Sequence, residues 1–189
     1  MYLAYDAPHA VLELPTQAYP ANKGLNGGLK WLGKEGEMIN TASGTIDSYN
    51  YPEYADATYQ NKQGAVVPWP DTYKRYASSV RRIDDGVGDL LQLLKDLKID
   101  ENTIVVFSSD NGPSVESYLP KGYAANEPTF FGSYGPFDGI KRDCWEGGLR
   151  MPVLANWPGH IEAGKVITTP SMLSDWLPTF ASLAQTVTP

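Results

Sequence analysis

Four side chains in this 189-residue sequence combine the type and the placement that chemistry needs: His9, Asp110, Asn111 and Lys141. Asp110 and Asn111 end the run VVFSSDNGP (residues 105–113), where an apolar β-branched stretch breaks into a carboxylate, an amide, a glycine and a proline. A carboxylate and an amide oxygen are hard donors suited to Ca²⁺ or Mg²⁺. The same pair is also ordinary turn chemistry, because Asn tolerates left-handed backbone and Gly supplies it freely; on spacing alone the bare turn is favoured. Two donors cannot fill the roughly six to eight oxygen positions of a calcium ion, so a metal here needs partners from elsewhere.

His9 follows Pro8 at the end of the apolar stretch YLAY (residues 2–5). An imidazole in that place binds an anion or serves as a general acid, and a plain loop histidine is an equal alternative. Lys141 lies in GIKRDCWEGG (residues 139–148), where a glycine-flanked loop lets a compact ammonium reach an oxyanion. The competing description is a solvated basic pair with Arg142. His160, in a Pro-Gly turn, is assigned no role. Cys144, beside Trp145, has no activating base in view and is expected to pack. As the sole cysteine it forms no intrachain disulfide.

These residues require elements that deliver them to one place. The spacing of Val80, Ile83, Val87, Leu90, Leu91, Leu94 and Leu97 predicts an amphipathic helix, with Arg81, Arg82, Asp85, Asp89 and Lys95 opposite. Residues 2–5, 104–108 and 150–156 are expected strands, and the helix between two of them is the expected crossover of a parallel βαβ unit. In an open parallel sheet ligands collect beyond the carboxyl ends of the strands, which would place His9 and Asp110-Asn111 on one edge. Ser174 is the expected cap of a last helix bearing Trp176, Leu177, Phe180 and Leu183. Two long irregular stretches, about 20–70 and 113–138, are rich in Gly and aromatics, and Tyr19, Trp31, Tyr49, Tyr51, Tyr54, Tyr59 and Trp69 are expected to pack onto a surface.

Composition narrows the classes. With 42% hydrophobic and 20% charged residues the chain has the makings of a core. A net charge of -7 argues against nucleic acid or an anionic membrane as partner, while leaving room for a small anion at a local cationic cluster. No apolar run approaches the roughly 18 residues that span a bilayer.

Taken in order, YLAYDAPH, YASSVRRIDDGVGDLLQLLKDLKIDENTIVVFSSDNGP, GPFDGIKRDCWEGGLRMPVLANWPGHIEAG and SDWLPTFASLA resemble the sulfatase family of the alkaline-phosphatase superfamily. The resemblance implies an α/β fold with a mostly parallel sheet flanked by helices. It implies that Asp110 and Asn111 ligate a divalent cation, generally calcium with magnesium as the alternative. Lys141 then contacts the sulfate, and His9 contacts it and protonates the leaving alcohol. The implied substrate is a sulfated carbohydrate or an aryl sulfate, and the implied location is periplasmic or extracellular.

The sequence also departs from the family pattern. Sulfatases attack with a formylglycine made within a Cys/Ser-x-Pro-x-Arg motif, and these 189 residues contain none. The Asp-Asp pair that supplies further metal ligands is likewise missing, and Asp84-Asp85 lies inside the helical stripe. The expectation is one partial catalytic domain over residues 1–189, without the nucleophile-bearing half or the C-terminal subdomain, and inactive in isolation. Two alternatives stay open: a non-catalytic α/β module that binds a sugar or a partner, and a related metal-dependent phosphodiesterase.

Overall fold

The structure, a computed structural model, describes residues 1–12, 14–28, 49–119, 122–124 and 127–187. Trp31 lies outside the described residues. The chain forms two compact units, Met1–Pro158 and Gly159–Pro189. In chain order the elements are α1 (Pro52–Ala55), β1 (Thr58–Gln60), β2 (Val66–Pro68), α2 (Asp71–Asp96), β3 (Val105–Ser108), α3 (Glu146–Leu149), β4 (Val153–Asn156) and α4 (Trp176–Leu183). No helix among the described residues is long and apolar enough to cross a membrane.

The 26-residue α2 begins directly after Pro70, with Asp71 in the first turn and Lys95 in the last, each the favourable sign for the helix dipole. It ends in a Schellman motif. Lys98 takes the left-handed conformation (φ 58°), its N–H bonds the Lys95 carbonyl at 2.9 Å, and the Ile99 N–H bonds Leu94 at 3.1 Å.

The sequence predicts burial of the apolar stripe; the structure instead buries Arg75, Ser78, Ser79 and Asp89 of this helix and leaves Val80 and Leu97 about half exposed. The reason is hydrogen bonding. The segments around residues 19–28 and 49–51 cross the polar face, and their donors need acceptors there. Gly24 N–H donates to Asp89 at 2.6 Å and the Tyr19 hydroxyl to the same carboxylate at 3.1 Å. Tyr51 N–H donates to Ser78 Oγ at 3.1 Å and its hydroxyl to Asp85 at 2.6 Å. Burial, then the bond to Asp85, pushes the Tyr51 phenol well above its ordinary value.

The aromatics pack as expected. Tyr54 stacks on Trp69 at 6.1 Å, Tyr73 on Phe130 at 4.3 Å and Tyr76 on Phe131 at 5.5 Å, tying residues 54–76 to the second irregular stretch.

The strand expectations need correction. Residues 2–5 lie in no strand, with Tyr2 90% exposed; no described strand pairs with them. β1 pairs with β2, and β3 with β4 in the register Val105↔Asn156 to Ser108↔Val153. Both ladders are antiparallel, so the mostly parallel sheet is not what the described strands form. With residues 2–5 outside any strand, α2 closes no βαβ unit onto β3. In the second unit Ser174 does not cap α4. It sits within the 3₁₀ turn Leu173–Asp175, and Asp175 accepts the Met172 N–H at 2.8 Å. Trp176 and Phe180 stack at 5.4 Å on α4.

Candidate functional site

β3 delivers the chain to Ser108, and the Asp110–Pro113 turn follows at once. Gly112 N–H donates to the Gly148 carbonyl at 3.0 Å, and Lys141 N–H donates to the Pro113 carbonyl at 2.7 Å. Gly147 N–H donates to Asp138 at 2.7 Å. Three backbone segments thus meet with no side chain between them. A Cβ on Gly112 would strike the Gly147 carbonyl, and one on Gly147 would lie 2.8 Å from the Asp138 oxygen. That close approach is the physical reason for the glycines of DNG and EGG.

The lysine loop is a tight turn locked at both ends. Ile140 N–H donates to Asp143 Oδ2 at 3.0 Å, Asp143 N–H returns a bond to the Ile140 carbonyl at 2.9 Å, and Arg142 adopts a left-handed φ of 84°. This turn presents Lys141 toward a histidine 132 residues earlier: Nζ lies 3.1 Å from His9 Nε2. His9 is held by its own turn, with its N–H on the Asp6 carbonyl at 2.8 Å, and its Nδ1 is 2.7 Å from the Ala10 carbonyl. A carbonyl only accepts, so Nδ1 carries a proton, and in the neutral ring Nε2 is the acceptor for the Lys141 ammonium.

Two residues that the sequence did not single out complete the group. Glu116 is 2% exposed. Its Oε2 accepts from Arg142 Nη2 at 3.2 Å, and its Oε1 lies 4.0 Å from His9 Nε2. Burial alone would raise the Glu116 carboxyl, but the nearby polar groups of Tyr118, Arg142 and Ser114 together with the Arg142 charge outweigh it and hold the acid below its usual range. The neighbouring Glu116 carboxylate in turn raises the Tyr118 phenol. No motif marks Glu116. Arg142 was visible only as the basic neighbour of Lys141, and its partner is a buried carboxylate rather than solvent.

Asp110 is exposed and Asn111 half-buried, and among the described residues neither side chain has a hydrogen-bond or ion-pair partner. Their oxygens match a hard cation in kind. In number they fall short, and no group of three His, Cys, Asp or Glu that could hold a metal occurs among the described residues. Cys144 is exposed, against the expectation that it packs, and Trp145 beside it is 68% exposed as well.

A family model described as Sulfatase matches residues 1–186. The chain belongs to the sulfatase family. N-acetylgalactosamine-6-sulfatase of Sus scrofa is 44% identical over 141 residues, covering 74% of this chain and 23% of that protein. Steryl-sulfatase of Mus musculus is 41% identical over 109 residues, covering 58% of this chain and 17% of that protein. The chain therefore spans about a fifth of the length of such curated relatives. Among solved structures, the crystal structure of Ps i-CgsB matches with a TM-score of 0.59 and 30% identity, covering all of this chain and 29% of that one. A complex of Ps i-CgsB with k-i-k-neocarrahexaose matches with a TM-score of 0.53 and 38% identity over 64% of this chain and 24% of that one. The strands and helices described above thus belong to an α/β sulfatase domain.

Proposed function

We propose that these residues form the sulfate-contacting, leaving-group side of a sulfuric ester hydrolase site acting on a sulfated carbohydrate. The observation that carries this is the 3.1 Å approach of Lys141 Nζ to His9 Nε2. Two side chains from distant parts of the chain converge where solvent reaches them, and with the ring protonated both present donors to a tetrahedral oxyanion. Lys141 supplies a fixed positive charge to the ester oxygens. His9, when protonated, gives a proton to the departing alcohol oxygen. The higher coverage of this chain by the N-acetylgalactosamine-6-sulfatase than by the steryl-sulfatase, and the neocarrahexaose in the Ps i-CgsB complex, support a sugar over an aryl sulfate as substrate.

Asp110 and Asn111 are the residues that would hold a divalent cation, calcium before magnesium, as part of a larger ligand set. Such an ion supplies charge neutralisation and polarisation of the ester when bound. The nucleophile, a formylglycine in this family, has no Cys/Ser-x-Pro-x-Arg motif among the 189 residues. Turnover therefore needs sequence beyond them, and periplasmic or extracellular residence is proposed on family grounds.

The test is inorganic sulfate binding to the 189-residue chain, followed by chemical-shift changes. Lys141→Ala is expected to weaken sulfate about tenfold, the loss of one charge-assisted hydrogen bond. Unchanged affinity would remove Lys141 from the site. No hydrolysis of an aryl sulfate is expected from the chain alone, and turnover abolished by Lys141→Ala would place a nucleophile within it.

A further inference from the structure

We infer that Glu116 is a positioning residue for His9, the partner that Nε2 takes when the ring is protonated. The inference rests on the role proposed for His9, and it follows from counting donors and acceptors. His9 Nδ1–H is committed to the Ala10 carbonyl at 2.7 Å. Nε2 has Lys141 Nζ at 3.1 Å, and an ammonium has three donors and no acceptor. This contact serves the neutral ring only. Once Nε2 gains a proton, two cationic donors face each other, and the contact becomes repulsive.

The acceptor the protonated ring needs stands just outside hydrogen-bond reach, a small side-chain movement away. Glu116 Oε1 lies 4.0 Å from Nε2, it is buried, and it has no hydrogen-bond partner. A buried carboxylate oxygen left unpaired is costly, so its vacancy calls for an explanation. The other oxygen is tied to Arg142 Nη2 at 3.2 Å, which keeps the carboxylate charged and fixes its direction. The charged groups facing the ring are thus Lys141 and Glu116, with Arg142 behind Glu116. His9 alternates between an acceptor state bonded to Lys141 and a donor state bonded to Glu116, so the ring is oriented in both forms. Arg142 positions Glu116, and neither residue needs to touch substrate.

The experiment uses the 189-residue chain with ¹⁵N-labelled histidine, and reads ring protonation from two-bond ¹H–¹⁵N spectra. His160, which lies in the other compact unit, is the internal reference. In Glu116→Gln, protonating His9 is expected to require about tenfold more protons than in the unsubstituted chain, with His160 unchanged. A difference below about twofold in a variant whose amide spectrum retains its dispersion would overturn the inference. Should Glu116→Gln not fold, the ¹³Cδ signal of Glu116 in the unsubstituted chain decides. It should move with the same midpoint as the His9 ring, and a signal indifferent to His9 protonation overturns the pairing. Sulfate binding that ignores Lys141→Ala would instead strike the proposed function while leaving these ring measurements intact.

Discussion

Gly112→Ala is the sharpest test of how the site is built. The position needs no special backbone angle, so the effect of the added methyl is steric. The new Cβ would collide with the Gly147 carbonyl oxygen and lie 2.9 Å from the Gly147 carbonyl carbon and 3.1 Å from Gly148 Cα. All three are backbone atoms, so no side chain can swing aside, and the two segments must separate. Overpacking of this kind costs about 1–3 kcal/mol. Separation also stretches the 3.0 Å bond from Gly112 N–H to Gly148, worth about 1 kcal/mol. The sum is about 2–4 kcal/mol, which for a chain of this size lowers the melting temperature by roughly 5–15 °C. The displacement continues to the next residue, because the Pro113 carbonyl holds the Lys141 N–H at 2.7 Å. Sulfate affinity should therefore fall in the folded variant as well. Thermal unfolding by circular dichroism measures the first effect. A drop of less than about 2 °C would show that the DNG and EGG segments are not packed backbone to backbone.

Gly86→Ala makes the opposite prediction within α2. Its Cβ would meet only the Tyr5 hydroxyl at 3.6 Å and the Tyr19 hydroxyl at 3.9 Å, ordinary contacts, so relief of helix-interior glycine should stabilise by about 0.5–1 kcal/mol in urea unfolding. A third prediction concerns alkaline pH. Burial, then the hydrogen bond to Asp89, pushes the Tyr19 phenol up to about 12. A folded-state value raised above the unfolded one of about 10 gives stability that is complete below pH 10 and lost as pH rises toward 12. Tyr51 shifts in the same direction, so Tyr19→Phe should flatten only part of the loss between about pH 10 and 12 in urea titrations. An identical pH slope in the variant would show that the Tyr19–Asp89 bond does not form.

How much of this was legible in the sequence depends on the kind of contact. The helix was legible because a period of three and four survives whatever packs on it, and α2 extends through Asp96 as the stripe requires. Which face it buries was not. Periodicity ranks residues by apolarity, whereas Asp89 is buried because Gly24 N–H and the Tyr19 hydroxyl need its oxygens. The parallel sheet was inferred from alternation of element types, and β3 pairing with β4 in antiparallel register depends on contacts nearly fifty residues apart that no local pattern encodes. The approach of His9 to Lys141 was not readable from spacing, which grouped His9 with Asp110-Asn111 on one sheet edge, and the stretch before His9 is not the strand that was supposed to carry it. Glu116 left no local trace at all. Its importance lies in burial and in a neighbour 26 residues away, Arg142.

Glu116 also bears on how an acidic chain can hold an anion. The net charge of -7 disfavours any anion at long range, so the local field must reverse. His9 and Arg142 flank the Glu116 carboxylate, and Lys141 joins the group through His9. With His9 neutral, Lys141 and Arg142 leave the group one positive charge in excess; with His9 protonated, two. Without Glu116 the protonated ring would face Lys141 at 3.1 Å with nothing to offset the repulsion. A buried negative charge therefore strengthens the cationic face of the site, because it lets two positive groups stand within hydrogen-bonding distance of one another.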